Sequence, residues 1–257
     1  MATFNVENPS TGQKEETFDR FSDDQRDAVL QTATDAYKEW RNTSIEERAA
    51  VLKKVAKLYR DNADKLTENI GREMGKLTKW GQAEVEISAA IYEYYADHAQ
   101  ELLAPEFLEA FGAQKTYVRK DPIGPLLGIM PWNFPYYQVA RWAAPNLLLG
   151  NTLILKHASI CPLSSQACQD LLEEVGLPKG VFQNIYASGS QMDEFIKDKR
   201  IVGVSLTGSE QAGSAVAKTA GENYKKSLLE LGGNDPFVVL DDDNLDWVLE
   251  QFLKIRM

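Results

Sequence analysis

Residues 126–156 read LLGIMPWNFPYYQVARWAAPNLLLGNTLILK, and this stretch decides the fold. Two short β-prone runs, Leu126–Met130 and Thr152–Lys156, flank a helical pattern over Tyr136–Leu149. A helix between two such runs gives the crossover that parallel pairing needs. The alternation continues downstream. Val181–Tyr186, Ile201–Leu206 and Phe237–Leu240 are β-prone, while Leu163–Val175, Gln191–Lys199 and Glu210–Gly221 are helical by pattern. Upstream, Lys115–Arg119 is one more β-prone run. The expected class is α/β, an open doubly wound parallel sheet covered on both faces. Sheets of this kind bind ligands at the carboxyl ends of their strands. The turns after Met130, Lys156, Tyr186 and Leu206 are therefore the places to look.

The first hundred residues are predicted to be mostly helical. Ser22, followed by Asp23 and Asp24, caps a helix over Gln25–Trp40. Ser44-Ile45-Glu46-Glu47 is a capping box, in which serine and glutamate satisfy each other's backbone amides. Ala49, Leu52, Val55, Ala56, Tyr59, Ala63 and Leu66 then fall on one helical stripe. Thr78 to about Leu103 reads as a third, long helix.

Composition excludes several classes. The chain has 257 residues, with 28 Lys+Arg against 38 Asp+Glu, a net charge of −10. Nucleic-acid and anionic-membrane binders carry the opposite balance. At 44% hydrophobic and 26% charged, this is the composition of an ordinary globular protein. No apolar run approaches the roughly 20 residues that span a bilayer, and Met1–Asn8 lacks the marks of a secretory signal. Cys161 and Cys168 form neither a disulfide framework nor a CxxC pair, so a reducing cytoplasm is the simplest setting. His98 and His157 are too few for a histidine metal site, and no carboxylate cluster has ligand spacing. Neither GxxxxGK[ST] nor GxGxxG occurs, which removes the usual phosphate-loop argument.

The strand-end turns hold the chemistry. Pro131 and Pro135 pin the backbone around Asn133, whose amide is either a turn element or a donor to a developing oxyanion. Lys156 is either a solvated strand-end cation or a contact for nucleotide hydroxyls and phosphate. Thr207-Gly208-Ser209 opens a helix whose amino end attracts phosphate. Glu230, beside Gly232 and Gly233, is either a partly exposed carboxylate or a desolvated base with room for water. Arg141 faces either a substrate passage or the surface. Cys161 and Cys168 read as packing residues.

Taken in order, Met130-Pro-Trp-Asn133-Phe-Pro, Gly150-Asn-Thr-Leu-Ile-Leu-Lys156, Leu206-Thr-Gly-Ser209 and Leu229-Glu230-Leu-Gly-Gly resemble the aldehyde dehydrogenase superfamily. The likeness runs from Asn8-Pro9-Ser10-Thr11-Gly12 to Leu240-Asp241-Asp242-Asp243, and is strongest to the bacterial succinate-semialdehyde dehydrogenase branch. It implies a Rossmann-like sheet behind a helical amino-terminal region, with a protruding strand hairpin. Residues 1–104 and 122–232 would form the NAD(P)-binding domain. Residues 105–121 would be an oligomerisation hairpin serving a homodimer or homotetramer. Residues 233–257 would begin a second, catalytic domain. By the same resemblance Asn133 holds the oxyanion and Glu230 is the general base. Ile129, Pro131, Trp132, Asn133, Lys156, Ser159, Ser209 and Leu231 contact the dinucleotide, and Arg141 the substrate.

Ser159 stands where family members strict for NAD often carry a glutamate that repels a 2′-phosphate. NADP is therefore expected to serve at least as well as NAD. The implied reaction is oxidation of a small aldehyde to its carboxylate through a cysteine thioester. The nucleophilic cysteine is expected beyond Met257, which implies a chain truncated before it and incomplete as a catalyst by itself. The alternative is a non-catalytic dinucleotide-binding or interaction fragment. Neither nucleic acid nor membrane is expected as a partner.

Overall fold

A computed structural model describes residues 4–240 and 243–256. Met1–Thr3 of the amino-terminal reading, Asp241 and Asp242 of the last matched motif, and Met257 lie outside the described residues. A hairpin of β1 (Phe4–Asn8) and β2 (Gln13–Phe18) leads into α1 (Asp23–Trp40), α2 (Ile45–Asp61), α3 (Ala63–Met74), α4 (Thr78–Asp97) and α5 (Ala99–Leu103). A second hairpin, β3 (Glu106–Leu108) with β4 (Thr116–Val118), precedes the main sheet. The sheet is built from β5 (Pro125–Met130), α6 (Pro135–Leu149), β6 (Thr152–His157), α7 (Pro162–Glu174), β7 (Phe182–Asn184), α8 (Met192–Lys197), β8 (Gly203–Thr207), α9 (Glu210–Glu222) and β9 (Lys226–Glu230). Last comes α10 (Leu245–Arg256).

All five main strands are parallel, in the order β7-β6-β5-β8-β9. The chain starts at β5, winds one way to β7, then returns to β8 on the other side. The reversal leaves a crevice between the carboxyl ends of β5 and β8, where doubly wound sheets take ligands. The expected fold class is therefore what the structure has.

Side chains alternate across the strands, and each set meets a different helical layer. Leu153, Leu155 and Met130 join the core made with α2, α3, α4, α6 and α7. Leu127, Ile154, Val204 and Leu206 pack instead with α1, α8 and α9. Gly128 lets α6 lie close, since a Cβ there would stand 2.6 Å from the Trp142 ring. Gly150, at φ +105°, ends α6 and turns the chain into β6.

Three local expectations need correction. The single stripe from Ala49 to Leu66 belongs to two helices, because the Asn62 amide bonds the Leu58 carbonyl at 2.9 Å and ends α2. The long third helix likewise breaks at His98, whose ring bonds the Tyr94 carbonyl and stacks on the Tyr94 ring. Phe237–Leu240 is not a strand: Val238 and Leu240 are exposed and pair with nothing in the sheet. The fifth strand is Lys226–Glu230, placing Glu230 at a strand's carboxyl end. None of the described helices is long and apolar enough to cross a membrane.

Candidate active site

Register places the predicted residues in two rows along the carboxyl rim. Lys156 pairs with Ile129, Ile129 with Leu206, and Leu206 with Leu229. With Ile129, Leu206 and Leu229 packed toward α1, α8 and α9, Lys156 points to that face. One residue further on, His157 pairs with Met130 and Thr207 with Glu230. These residues look toward α6. Neighbouring strands lie about 4.8 Å apart, so each row runs on the order of 15 Å across four strands. Lys156 and Glu230 thus occupy opposite faces of the sheet and meet only around its rim.

The first row has the features of an anion site. Lys156 is half-buried, and burial pushes its ammonium below the usual lysine range. It has neither a hydrogen-bond nor an ion-pair partner among the described residues. Ser159 is exposed three residues on. Across the row, Ser209 is the N-cap of α9, its hydroxyl accepting from the Ala212 amide at 3.2 Å. The helix amino end adds partial positive charge. Gly208 is open, a Cβ there meeting only Leu206 at 3.6 Å. Leu231 packs over the same helix, where a Cβ on Gly213 would be 2.4 Å from it. Trp132 is 53% exposed at the rim.

The second row is acidic and paired. Glu230 Oε1 accepts from Arg141 Nη2 at 2.5 Å, and Arg141 is raised above the usual arginine value chiefly by that bond. Of the two readings open for Glu230, the structure shows the partly exposed carboxylate, its side chain being 42% exposed. A cleft of about 130 Å³ lies over the pair, lined by Met130, Gln138, Arg141, Thr207 and Glu230 among others. Arg141 therefore faces this cleft.

Asn133 lies beyond the end of β5, exposed, in the turn to α6. Its Oδ1 accepts from the Phe134 amide at 3.1 Å, and its Nδ2 has no partner among the described residues. The turn is held from below by two residues that the sequence did not suggest. Lys76 Nζ donates to the Asn133 carbonyl at 2.7 Å, lies 3.8 Å from the Phe134 ring centroid, and pairs with Glu84 at 2.5 Å. Glu84, fully buried, accepts from the amides of Tyr136 and Tyr137 at the start of α6. His157 is also structural: Nε2 meets the Pro135 carbonyl at 3.1 Å, and Nδ1 accepts from the Ala158 amide at 2.8 Å.

The two cysteines are out of reach of any ligand. Cys161 and Cys168 are 0% and 1% exposed. Burial pushes Cys168 up to about 12 and Cys161 higher still. A thiol so held supplies almost no thiolate. Among the described residues no group of three or more metal-binding side chains occurs.

The model of the aldehyde dehydrogenase family matches residues 1–256. A succinate-semialdehyde dehydrogenase [NADP(+)] of Deinococcus radiodurans is 41% identical over 243 residues, covering 95% of this chain and 51% of its own length. One from Mycobacterium avium is 39% identical over 253 residues, covering 97% and 54%. Among solved structures, succinic semialdehyde dehydrogenase from Streptococcus pyogenes, in complex with NADP+, aligns with a TM-score of 0.92 at 43% identity. That alignment covers 96% of this chain and 54% of the other. The chain spans about half the length of the relatives it matches.

Proposed function

The chain belongs to the aldehyde dehydrogenase family, and from that premise we propose that it is the dinucleotide-binding half of an NADP-dependent succinate-semialdehyde dehydrogenase. The observation that carries this reading is the half-buried ammonium of Lys156, without a partner among the described residues, on the rim row that ends at the α9 amino terminus. A cation in that setting gains most from an anionic ligand. Lys156 and the Ser159 hydroxyl would hold the adenosine ribose and its 2′-phosphate. Ser209 and the first turn of α9 would hold the pyrophosphate, with Ile129, Pro131, Trp132 and Leu231 against the rest. When bound, the dinucleotide supplies the hydride acceptor.

The residues of this chain would act on the aldehyde from the α6 side. Asn133 Nδ2 donates to the oxygen as negative charge gathers on it after thiolate attack. Glu230 accepts a proton from the water that hydrolyses the resulting thioester. Arg141, lining the same cleft, suits the distal carboxylate of the substrate. Neither Cys161 nor Cys168 is placed to attack, so the thiol must come from outside these 257 residues. That burial favours a second reading for the chain by itself, a dinucleotide-binding module without turnover. Residues 1–104 and 122–232 would be the cofactor domain, and residues 233–257 the start of another. The hairpin within residues 105–121, with Phe107 and Tyr117 exposed, would join subunits of a homodimer or homotetramer.

Calorimetric titration of the 257-residue chain with NADP+ and with NAD+ tests the reading. NADP+ is expected to bind, and Lys156→Met to weaken it by at least about tenfold. Absence of binding to the folded wild-type chain would defeat the proposal.

A further inference from the structure

We propose that Lys76 and Glu84 are positioning residues for the Asn133 amide, a role that rests on reading Asn133 as the oxyanion donor. Both belong to the helical amino-terminal region, far from the strand-end motifs in sequence. Glu84 has no exposed side-chain surface and Lys76 only 10%. Burying such a pair is costly unless the remaining donors and acceptors are used. Here they are used on one target. Lys76 donates to the carbonyl of Asn133 itself and lies against the ring of Phe134. Glu84 accepts from Lys76 through Oε2, and through Oε1 from the amides that start α6. The carbonyl before Phe134 and the amides after it are thus gripped by two opposite charges bound to each other.

The consequence falls on the direction of Nδ2. With its carbonyl fixed by Lys76, the Asn133 side chain folds onto the Phe134 amide through Oδ1. Its Nδ2, which bonds none of the described residues, is thereby held in one orientation. A preset donor costs no reorganisation when charge develops on a bound oxygen, which is why such donors are effective. Freed from Lys76, the Asn133 carbonyl loses its anchor, while the flanking prolines and the His157 contact to the Pro135 carbonyl remain.

The side-chain amide of Asn133, followed by ¹⁵N relaxation in the 257-residue chain and assigned with Asn133→Asp, reads this directly. In the wild type the Nδ2 group is expected to be as rigid as ordered backbone, with an order parameter near 0.85. In Lys76→Met with Glu84→Gln, which removes the pair without leaving a lone buried charge, it should fall below about 0.6. The Trp40 indole N–H, bonded to the Leu147 carbonyl far from the turn, should keep its wild-type value. Lys76→Arg, which retains a donor and a charge, should restore most of the rigidity. A mobile Asn133 amide in the wild type, or one unmoved in the double variant, overturns the proposal. A general loosening that also moves the Trp40 signal counts against it, since that is what a merely structural pair would give. None of these outcomes depends on cofactor binding, so failure here is distinct from failure of the functional reading.

Discussion

Lowering the pH from 7.5 to 5 should turn His157 against the folded state. The ring is buried at the end of β6, and burial pushes it down to about 4 from an ordinary 6.5. Its surroundings explain the direction. Neutral imidazole with the proton on Nε2 satisfies both contacts, donating to Pro135 and accepting from Ala158. A second proton would have to displace the Ala158 amide from Nδ1, beside the Lys156 ammonium. The unfolded chain meets no such obstacle and takes the proton below about pH 6.5. Stability from this residue is therefore complete above 6.5 and is lost as pH falls through 4. By pH 5 the loss amounts to about 2 kcal/mol.

Glu73 works in the opposite sense over an overlapping range. Buried against the start of α7, it is pushed up to about 7 by burial, although Ser164 and the amides of Leu163 and Ser164 donate to it. Its contribution is greatest below about 4.5 and is lost as pH rises through 7. The wild-type curve alone therefore mixes the two. Urea unfolding of wild type and His157→Asn, followed by circular dichroism at pH 7.5, 6 and 5, separates them. Whatever His157→Asn costs at pH 7.5, the gap between the proteins should close by about 2 kcal/mol at pH 5. A gap constant to within about 0.5 kcal/mol would refute the argument.

Other consequences are simpler to check. Gly128→Ala would drive a methyl group into the Trp142 ring, costing about 1–3 kcal/mol in chemical denaturation. Ser159→Glu should weaken NADP+ by at least about tenfold while sparing NAD+, since a carboxylate there repels the 2′-phosphate; calorimetry with both cofactors gives the ratio. Cys161 and Cys168 should be silent to a thiol reagent in the native chain and react fully once it is denatured, as their burial requires. Ser44→Ala should lower stability by about 1 kcal/mol, because Ser44 and Glu47 satisfy each other's amides at the start of α2.

Much of the fold was legible because its determinants are local. The capping box at Ser44, Pro135 at the first turn of α6 and Gly150 at its end each act within a few residues. The apolar runs of β5 and β6 are continuous because both their faces are covered. Elements at the margins were not legible for the corresponding reason. β2 reads Gln-Lys-Glu-Glu-Thr-Phe and lies mostly exposed, so no alternation marks it. β9 begins with exposed Lys226 and Ser227, and its edge position removed the apolar pattern of the inner strands. At the site, Asn133 and Lys156 could be picked out because each follows or ends an expected strand, and Glu230 because it stands beside Gly232 and Gly233 in a motif that resembles the family's. Lys76 and Glu84 could not. A lysine between two helices and a glutamate within one look solvated until the third dimension closes over them.

The two-residue period of the strands bears on how the site is divided. Lys156 and His157 are neighbours in sequence, as are Leu229 and Glu230, yet each pair splits between the two faces. Two adjacent residues at a strand end can thus serve the two faces at once, with the sheet between them as a wall. The arrangement puts Arg141 and the α6 side on one approach and the α9 amino terminus on the other. In the proposed function the reacting groups would meet at the rim. Asn133 lies there, at the crevice where the winding of the sheet reverses. A one-residue slip of β6 would exchange the roles of Lys156 and His157 and bury an unpaired ammonium under α6. The apolar residues that fix the register, Leu153 and Leu155 on one face and Ile154 on the other, therefore also decide which side of the sheet Lys156 faces.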